Sequence, residues 1–324
     1  MKAIVCKEFG PPEKLVLEEM PSRKIGPNEV RIAVKAAGVN FPDTLIIEGK
    51  YQLKANPPFT PGAEVAGKLL EVGEKVKGLR AGDDVAAFLP TGGYAEEAIA
   101  ASNGVIPIPH GMDHADAATM PLVYGTTIHA LKQRGQLKAG ETLLVLGAAG
   151  GVGLAAVQLG KLMGARVIAA ASSAEKLALC KAQGADEVVD YSKESLKEAV
   201  KKLTKAQGAD VIYDPVGGDL AQDCFSAINW NGRYLIIGFA AGKIPEVALN
   251  RLLLKGAAAV GVFWGAFAVR EPLVNSENFQ QLFAWHGEGR LKPHISHRYP
   301  LAQAGQALRD MMERKVTGKV VLIP

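Results

Sequence analysis

The sequence predicts an α/β protein in two parts, a mainly β first part and a second part whose strands and helices alternate to build a parallel sheet. Three observations carry that expectation. Short apolar runs separated by Gly and Pro fill the chain up to about residue 110, and from Asp113 the apolar spacing lengthens to that of helices. Strand-like and helix-like runs then follow one another at the pace of βαβ units. At 324 residues and 48% apolar, the chain exceeds one typical domain and can fold on its core alone.

Taken in order, the first part offers the strands KAIVCKEF, VRIAVKAAGV, VAGKLLEVG, DDVAAFL, GGYAEEAIA and VIPIP. The second part reads TLLVLG (strand), VGLAAVQLGKLMG (helix), RVIAAAS (strand), SAEKLALCKAQG (helix), EVVDY (strand), SLKEAVKKLTKAQ (helix), then DVIYDPV and RYLIIGFA (strands). From about Asn278 the pattern returns to an amphipathic helix, AQAGQALRDMMERK, and a strand, KVVLIP. No internal repeat or low-complexity linker interrupts it.

Composition excludes several functions. Lys and Arg outnumber Asp and Glu by 37 to 33 and are spread along the chain, and aromatics make up only 6%, so neither a nucleic-acid surface nor a base-stacking platform is expected. Cys6, Cys180 and Cys224 lie far apart, which fits a reducing compartment better than a disulfide or zinc framework. The opening MKAIVCKEFGPPEKL lacks the apolar core of a secretory signal. The longest apolar run, Gly256 to Val269, is 14 residues, short of a membrane span. A cytoplasmic protein is expected.

The stretch TLLVLGAAGGVGLAAVQLGKLMG places glycines at a strand-to-helix corner, where their entropy cost is repaid by close approach of a ligand to the backbone. It fits the dinucleotide pattern as Ala148-x-Gly150-x-x-Gly153, with alanine for the first glycine. Gly150 then admits a pyrophosphate, Gly153 lets helix pack on strand, and Ala149, Gly150, Gly151 and Val152 face the phosphates at the helix N-terminus. The second strand of NAD-selective sheets ends in an acid for the ribose hydroxyl; here Ala171 stands at that position, followed by Ser172, Ser173 and Lys176. Hydroxyls and an ammonium accept a 2′-phosphate that a carboxylate would repel, so the expected cofactor is NADPH.

Six stretches together resemble the zinc-independent NADPH:quinone oxidoreductases of the medium-chain dehydrogenase/reductase superfamily: AGVNFPDTLIIEGKY, PGAEVAGKLLEVGEKV, GGYAEEAIA, the AAGGVG corner, YDPVGGD and GKVVLIP. The resemblance implies a GroES-like β-barrel catalytic domain over 1–122, completed by 266–324, and a Rossmann doubly wound parallel-sheet domain over 123–265. It further implies a cleft between them and a homodimer through the edge strand near Ala257 to Val262. Where the zinc branch carries cysteine and Gly-His-Glu, this chain has Asn40 to Asp43 and Gly62-Ala63-Glu64, and no ligand stands at Leu122 to Tyr124. Zinc needs three or four N or S donors, so no metal is expected, and Glu64 reads as a structural carboxylate. His294 and His297, three apart in a strand, point to opposite faces and make no metal pair.

Carried over residue by residue, the resemblance places Asn40, Asp43 and Tyr51 in a loop over the nicotinamide and Thr127 at the start of the Rossmann half. Tyr191 joins Ser173 and Lys176 near the adenine and 2′-phosphate. Gly238 and Phe239, with Phe263, Trp264 and Gly265, line the nicotinamide, and Asn250 and Lys319 make polar contacts to the cofactor. Asp214 reads as a strand-end turn residue.

No Ser-His-Asp arrangement or Gly-x-Ser-x-Gly elbow appears, which suits hydride transfer, where nicotinamide carries the reactive hydrogen. Reduction of a quinone or conjugated carbonyl gathers charge on oxygen, and Asn40 and Tyr51 are the candidate donors to it. Phe41, Phe59 and Trp264 offer flat apolar surface to a small planar acceptor. An enone or enoyl reductase, or a weakly active nucleotide-binding or RNA-binding protein, are the alternative functions.

Overall fold

Alternation of apolar and polar residues makes β3 (Glu29–Val39) a strand with Val30, Ile32 and Val34 turned inward, and from Ala36 to Val39 every residue is buried. The strand thus passes from a half-covered sheet into a fully enclosed corner, where the polar residues discussed below begin. The computed structural model describes residues 1–52 and 54–324. By contacts these fall into two units, Met1–Leu122 with Phe279–His286 and Lys292–Pro324, and Val123–Asn278 with Gly287–Leu291.

The first unit has β1 (Lys2–Val5) paired with β2 (Val16–Glu19), and a larger sheet built from β3, β4 (Glu64–Val72), β5 (Asp84–Phe88), β6 (Glu97–Ala101) and β7 (Val105–Pro107). The strands numbered β14 (Ile295–Pro300) and β15 (Lys319–Ile323) complete it, in the order β14-β15-β3-β4-β5-β7 with β6 also on β3. All its pairings are antiparallel except β14 with β15. Ile32, Val65, Leu69, Val85, Tyr94 and Leu322 fill the core. Helix α1 (Phe41–Ile47) follows β3, and α2 (His114–Ala118) packs on β3 and β4.

In the second unit every pairing is parallel: β8 (Thr142–Val145), β9 (Arg166–Ala171), β10 (Glu187–Asp190), β11 (Ala209–Asp214), β12 (Ile228–Ile236) and β13 (Ala258–Gly261) lie in the order β10-β9-β8-β11-β12-β13. Counted within the unit, that order is 3-2-1-4-5-6, the Rossmann arrangement, with its reversal point between β8 and β11. Leu143, Leu144 and Val145 are fully buried, as expected of a strand covered on both faces. Its helices are α3 (Gly125–Ile128), α4 (Gly151–Leu162), α5 (Ala174–Ala182), α6 (Leu196–Leu203), α7 (Leu220–Ala227), α8 (Asn250–Leu253) and α9 (Trp264–Arg270). Two more, α10 (Pro272–Gly287) and α11 (Ala304–Met312), come later in the chain, and α11 buries Ala304, Ala307 and Leu308 on its apolar stripe.

The contact grouping differs from the sequence-based boundary at 265/266. Residues 266–278 belong with the second unit because Phe267 stacks on His129 with ring centroids 3.8 Å apart and Asn278 exchanges amide hydrogen bonds of 3.0 and 3.2 Å with Gln133. The apolar run Gly256 to Val269 divides between β13 and α9, and no helix of the described residues is long and apolar enough to cross a membrane.

Candidate active site

In the first unit the corner after β3 is built from side chains. Asn40 precedes α1 with extended backbone (φ −133°, ψ 151°), its N–H donates to Asp43 Oδ2 at 2.9 Å, and the Asp43 N–H returns a bond to the Asn40 carbonyl at 3.0 Å. That reciprocal pair fixes the first turn. The Asn40 amide is held at both ends: Nδ2 donates to Glu64 Oε1 at 2.8 Å, and Oδ1 accepts from Lys319 Nζ at 2.6 Å. Lys319 also donates to the Val39 carbonyl at 3.0 Å and to Glu64 Oε1 at 2.8 Å, while Glu64 Oε2 accepts from the Leu122 N–H at 2.8 Å. Asn40, Glu64 and Lys319 are at most 4% exposed. Buried ions are tolerated only when paired and fully hydrogen-bonded, and the ammonium has spent all three protons.

Asp43 is fully buried, and its Oδ2 also accepts from Tyr94 Oη at 2.7 Å. Its Oδ1 is enclosed with no hydrogen-bond partner among the described residues. Burial raises the Asp43 carboxyl to about 6, against the opposing pull of the Tyr94 and Asn40 hydrogen bonds and the Lys319 charge. Burial, then the Asp43 charge, lifts the Tyr94 hydroxyl well above its usual range. Tyr51 is half-buried, and the same two causes in the same order raise its hydroxyl above 10, so it keeps its proton at neutral pH.

The second unit's corner is built from backbone. Gly150 caps α4 with extended backbone (φ −78°, ψ 173°), and its N–H donates to the Gly147 carbonyl at 2.9 Å. A Cβ on Gly153 would sit 2.2 Å from the Gly147 oxygen, so helix and strand approach as closely as glycine alone allows. A Cβ on Gly150 would meet only that oxygen, at 3.3 Å, leaving open space beside the cap. The first-turn amides of Gly151, Val152 and Gly153 have no intrahelical acceptor, and the helix dipole adds to them. Such a corner fits a pyrophosphate. Behind it Thr127 is fully buried and donates from Oγ1 to the Val123 carbonyl at 2.8 Å, while the Tyr213 hydroxyl lies 2.9 Å from Thr127 Oγ1.

The C-terminal ends of β9 and β10 bring Ala171, Ser172, Ser173, Lys176 and Tyr191 together. Ser172 is exposed; Ser173 caps α5, its Oγ accepting from the Lys176 N–H at 3.3 Å; and the Tyr191 N–H donates to the Ala171 carbonyl at 3.2 Å. Gly238 and Phe239 follow β12 in a half-buried loop tied to the one after β11, where the Gly238 N–H reaches the Asp214 carbonyl at 3.4 Å. Asp214 behaves as the expected turn residue: Oδ1 accepts from the Val216 and Gly217 N–H groups at 2.7 and 2.9 Å.

Several sequence-based roles need revision. Lys319 has no proton left for a cofactor, because Glu64, Asn40 and Val39 take all three. The side chain of Thr127 is likewise used internally. Trp264 is 4% exposed and donates from Nε1 to Asn275 Oδ1 at 3.0 Å, so its ring is core and not an acceptor wall, whereas neighbouring Phe263 is 70% exposed and Gly265 half-buried. Asn250 stands exposed on α8. The place of Tyr94 in GGYAEEAIA marks no chemistry in the sequence; the fold sets it against Asp43.

Comparison with known proteins bears directly on this geometry. The alcohol dehydrogenase GroES-like domain matches residues 26–110 and the zinc-binding dehydrogenase family matches 151–285. A quinone oxidoreductase-like protein 2 homolog of Nematostella vectensis is 40% identical, covering 99% of this chain and 88% of its own. The chain belongs to the zinc-independent quinone oxidoreductase family of the medium-chain dehydrogenase/reductase superfamily. Within that family, the Escherichia coli quinone oxidoreductase solved in complex with NADPH superposes with a TM-score of 0.93 at 29% identity, covering all of both chains. A probable oxidoreductase of Mycobacterium abscessus gives 0.91 at 41% identity, covering 100% of this chain and 99% of that one. The zinc in one family model's description has no counterpart in side chains: among the described residues no three His, Cys, Asp or Glu are grouped to hold a metal.

Proposed function

We propose that the protein is an NADPH-dependent oxidoreductase that delivers a hydride to a small planar conjugated carbonyl, with a quinone as the preferred acceptor and without a metal. The carrying observation is the open glycine corner at the reversal point of a 3-2-1-4-5-6 parallel sheet, beside a second strand that ends at Ala171 and is followed by Ser172 and Ser173. A relative named quinone oxidoreductase-like and a quinone oxidoreductase solved in complex with NADPH support the same reading. The residues present fit that cofactor: Ala149, Gly150, Gly151 and Val152 would hold the pyrophosphate. Ser172, Ser173, Lys176 and Tyr191 would hold the 2′-phosphate end, and the segments at Gly238–Phe239 and Phe263–Gly265 the nicotinamide end, with Asn250 a further polar contact. When bound, NADPH supplies the hydride.

The chain's own contribution is positioning and a proton. Tyr51, protonated at neutral pH, is the donor to the oxygen on which charge develops, and water can replace it. Asn40, whose amide is engaged at both ends, holds the corner that carries α1, and Asp43, Glu64 and Lys319 hold Asn40. We further infer a homodimer through β13, supported by its position at the sheet edge and by the exposed Leu253, Leu254 and Phe263 nearby in the chain. A cytoplasmic location is supported by three buried thiols with no disulfide.

The test is NADPH consumption against a panel of acceptors. Quinones should be reduced fastest, small enones next and enoyl thioesters slowest. Fastest turnover of enoyl thioesters would replace the quinone assignment with an enoyl reductase. Light scattering on the purified protein should give twice the mass of one chain, and the mass of a single chain would remove the dimer.

A further inference from the structure

The β9–β10 ladder ends on a pair that the loss of an acid from β9 makes important: Ala171 lies directly beside Asp190. Paired residues of parallel strands point to the same face of the sheet and stand about 4.8 Å apart. The carboxylate absent from the end of the second strand is therefore present one strand over, at the same level and on the same face. It is restrained there: Asp190 Oδ1 accepts from the Ser192 N–H at 3.1 Å and the Ser192 hydroxyl at 2.5 Å, and Lys193 Nζ lies 3.5 Å from Oδ2. The Asp190 carbonyl accepts from the Lys193 and Glu194 N–H groups at 3.0 and 3.1 Å, so the turn that follows Tyr191 is wound on this one residue. The side chain is 11% exposed. The Ser192 hydrogen bond, foremost, holds the carboxyl below its usual range, so it is charged at neutral pH.

We infer that Asp190 sets the ratio of NADPH to NADH affinity: its charge opposes a 2′-phosphate seated at Ser172, Ser173 and Lys176, and Ser192 and Lys193 limit that opposition. This deepens the proposed cofactor reading and rests on it. Like charges near the surface repel by an amount that depends on separation and screening, so the effect is moderate and falls with salt. NADH has no phosphate there, so this repulsion does not act on it.

The experiment is calorimetric titration of NADPH and of NADH into the wild-type protein, Asp190→Asn, Ser192→Ala and the double variant, at low and high salt. Asp190→Asn should tighten NADPH by about 3- to 10-fold at low salt and leave NADH within about 2-fold. Ser192→Ala alone should weaken NADPH, and in the Asp190→Asn background it should change the ratio no further, since it acts through the carboxylate. An unchanged ratio in Asp190→Asn, or one moved toward NADH, overturns the inference while leaving the cofactor assignment standing. Failure of the wild-type protein to bind either nucleotide overturns both. Melting curves of each variant separate a lost turn from a changed charge: a variant that melts as wild type and shows the shift supports the inference, and one that shows the shift only with a collapsed melting point refutes it.

Discussion

Two strand-to-helix corners, one in each unit, solve the same problem with opposite means. After β3, the turn into α1 is closed by Asn40, Asp43, Glu64 and Lys319, every one of them buried. After β8, the turn into α4 has no polar side chain at all, leaves the amides of Gly151, Val152 and Gly153 without an intrahelical acceptor, and keeps the space beside Gly150 open. A corner filled by its own side chains is committed to structure; a corner made of backbone keeps its donors for an anion. Substitutions should therefore hurt folding at the first corner and binding at the second.

The largest effect is expected from Lys319→Met, which leaves the buried Glu64 without its ion-pair partner and the Asn40 amide unsupported. Removing one partner of a buried pair costs about 3–5 kcal/mol, readable in urea unfolding. A loss under about 1 kcal/mol would mean that the cluster does not hold the corner.

Asp43→Asn follows, and its sign depends on pH. The native carboxyl is raised from 3.8 to about 6, so the folded state binds this proton more tightly than the unfolded one. The resulting stability is full below about pH 4 and is lost as pH rises through about 6. A shift of roughly two units corresponds to about 3 kcal/mol. The variant has no such proton, so its stability relative to the wild type should climb by about that amount from pH 4 to pH 7. A difference that stays flat across that window would show that Asp43 is already ionised in the folded acid state.

Gly153→Ala comes next: a methyl 2.2 Å from the Gly147 oxygen forces helix and strand apart, at about 1–3 kcal/mol, and NADPH binding should weaken with it. Gly150→Ala should scarcely alter stability, by less than about 1 kcal/mol, yet lower NADPH affinity about 10-fold, because the methyl enters the space a phosphate would use. If Gly150→Ala unfolds the protein and keeps its affinity, the contrast between the corners collapses.

How much of this was legible in the sequence follows the same division. The glycine corner is written in residue type, because close approach and a helix start leave few choices, and the alternation of β8, β9 and β11 with α4 and α5 gave the parallel sheet. The polar corner was only half legible. Asn40 and Asp43 stood out, but their partners are remote: Glu64 lies 24 residues from Asn40 and Lys319 lies 279 away. The family resemblance makes Lys319 a polar contact to the cofactor until the fold shows its three acceptors. Asp190 was hidden for a related reason, since only the register of β9 with β10 sets it beside Ala171.

The position of β15 has a consequence for the order in which the molecule assembles. Residues 319–323 enter between β14 and β3, and Lys319 bridges to Val39 across 280 residues of chain. During synthesis β3 is made early and pairs with β4 and β6, but its Ala37–Val39 end then waits for β15, and Glu64 for its counter-ion, while the whole Rossmann sheet is translated. That sheet, drawn from the contiguous stretch Val123–Asn278 apart from Gly287–Leu291, can settle first. The unit begun first is thus finished last, and in the interval the open end of β3 at Ala37–Val39 is an edge that another strand could pair with.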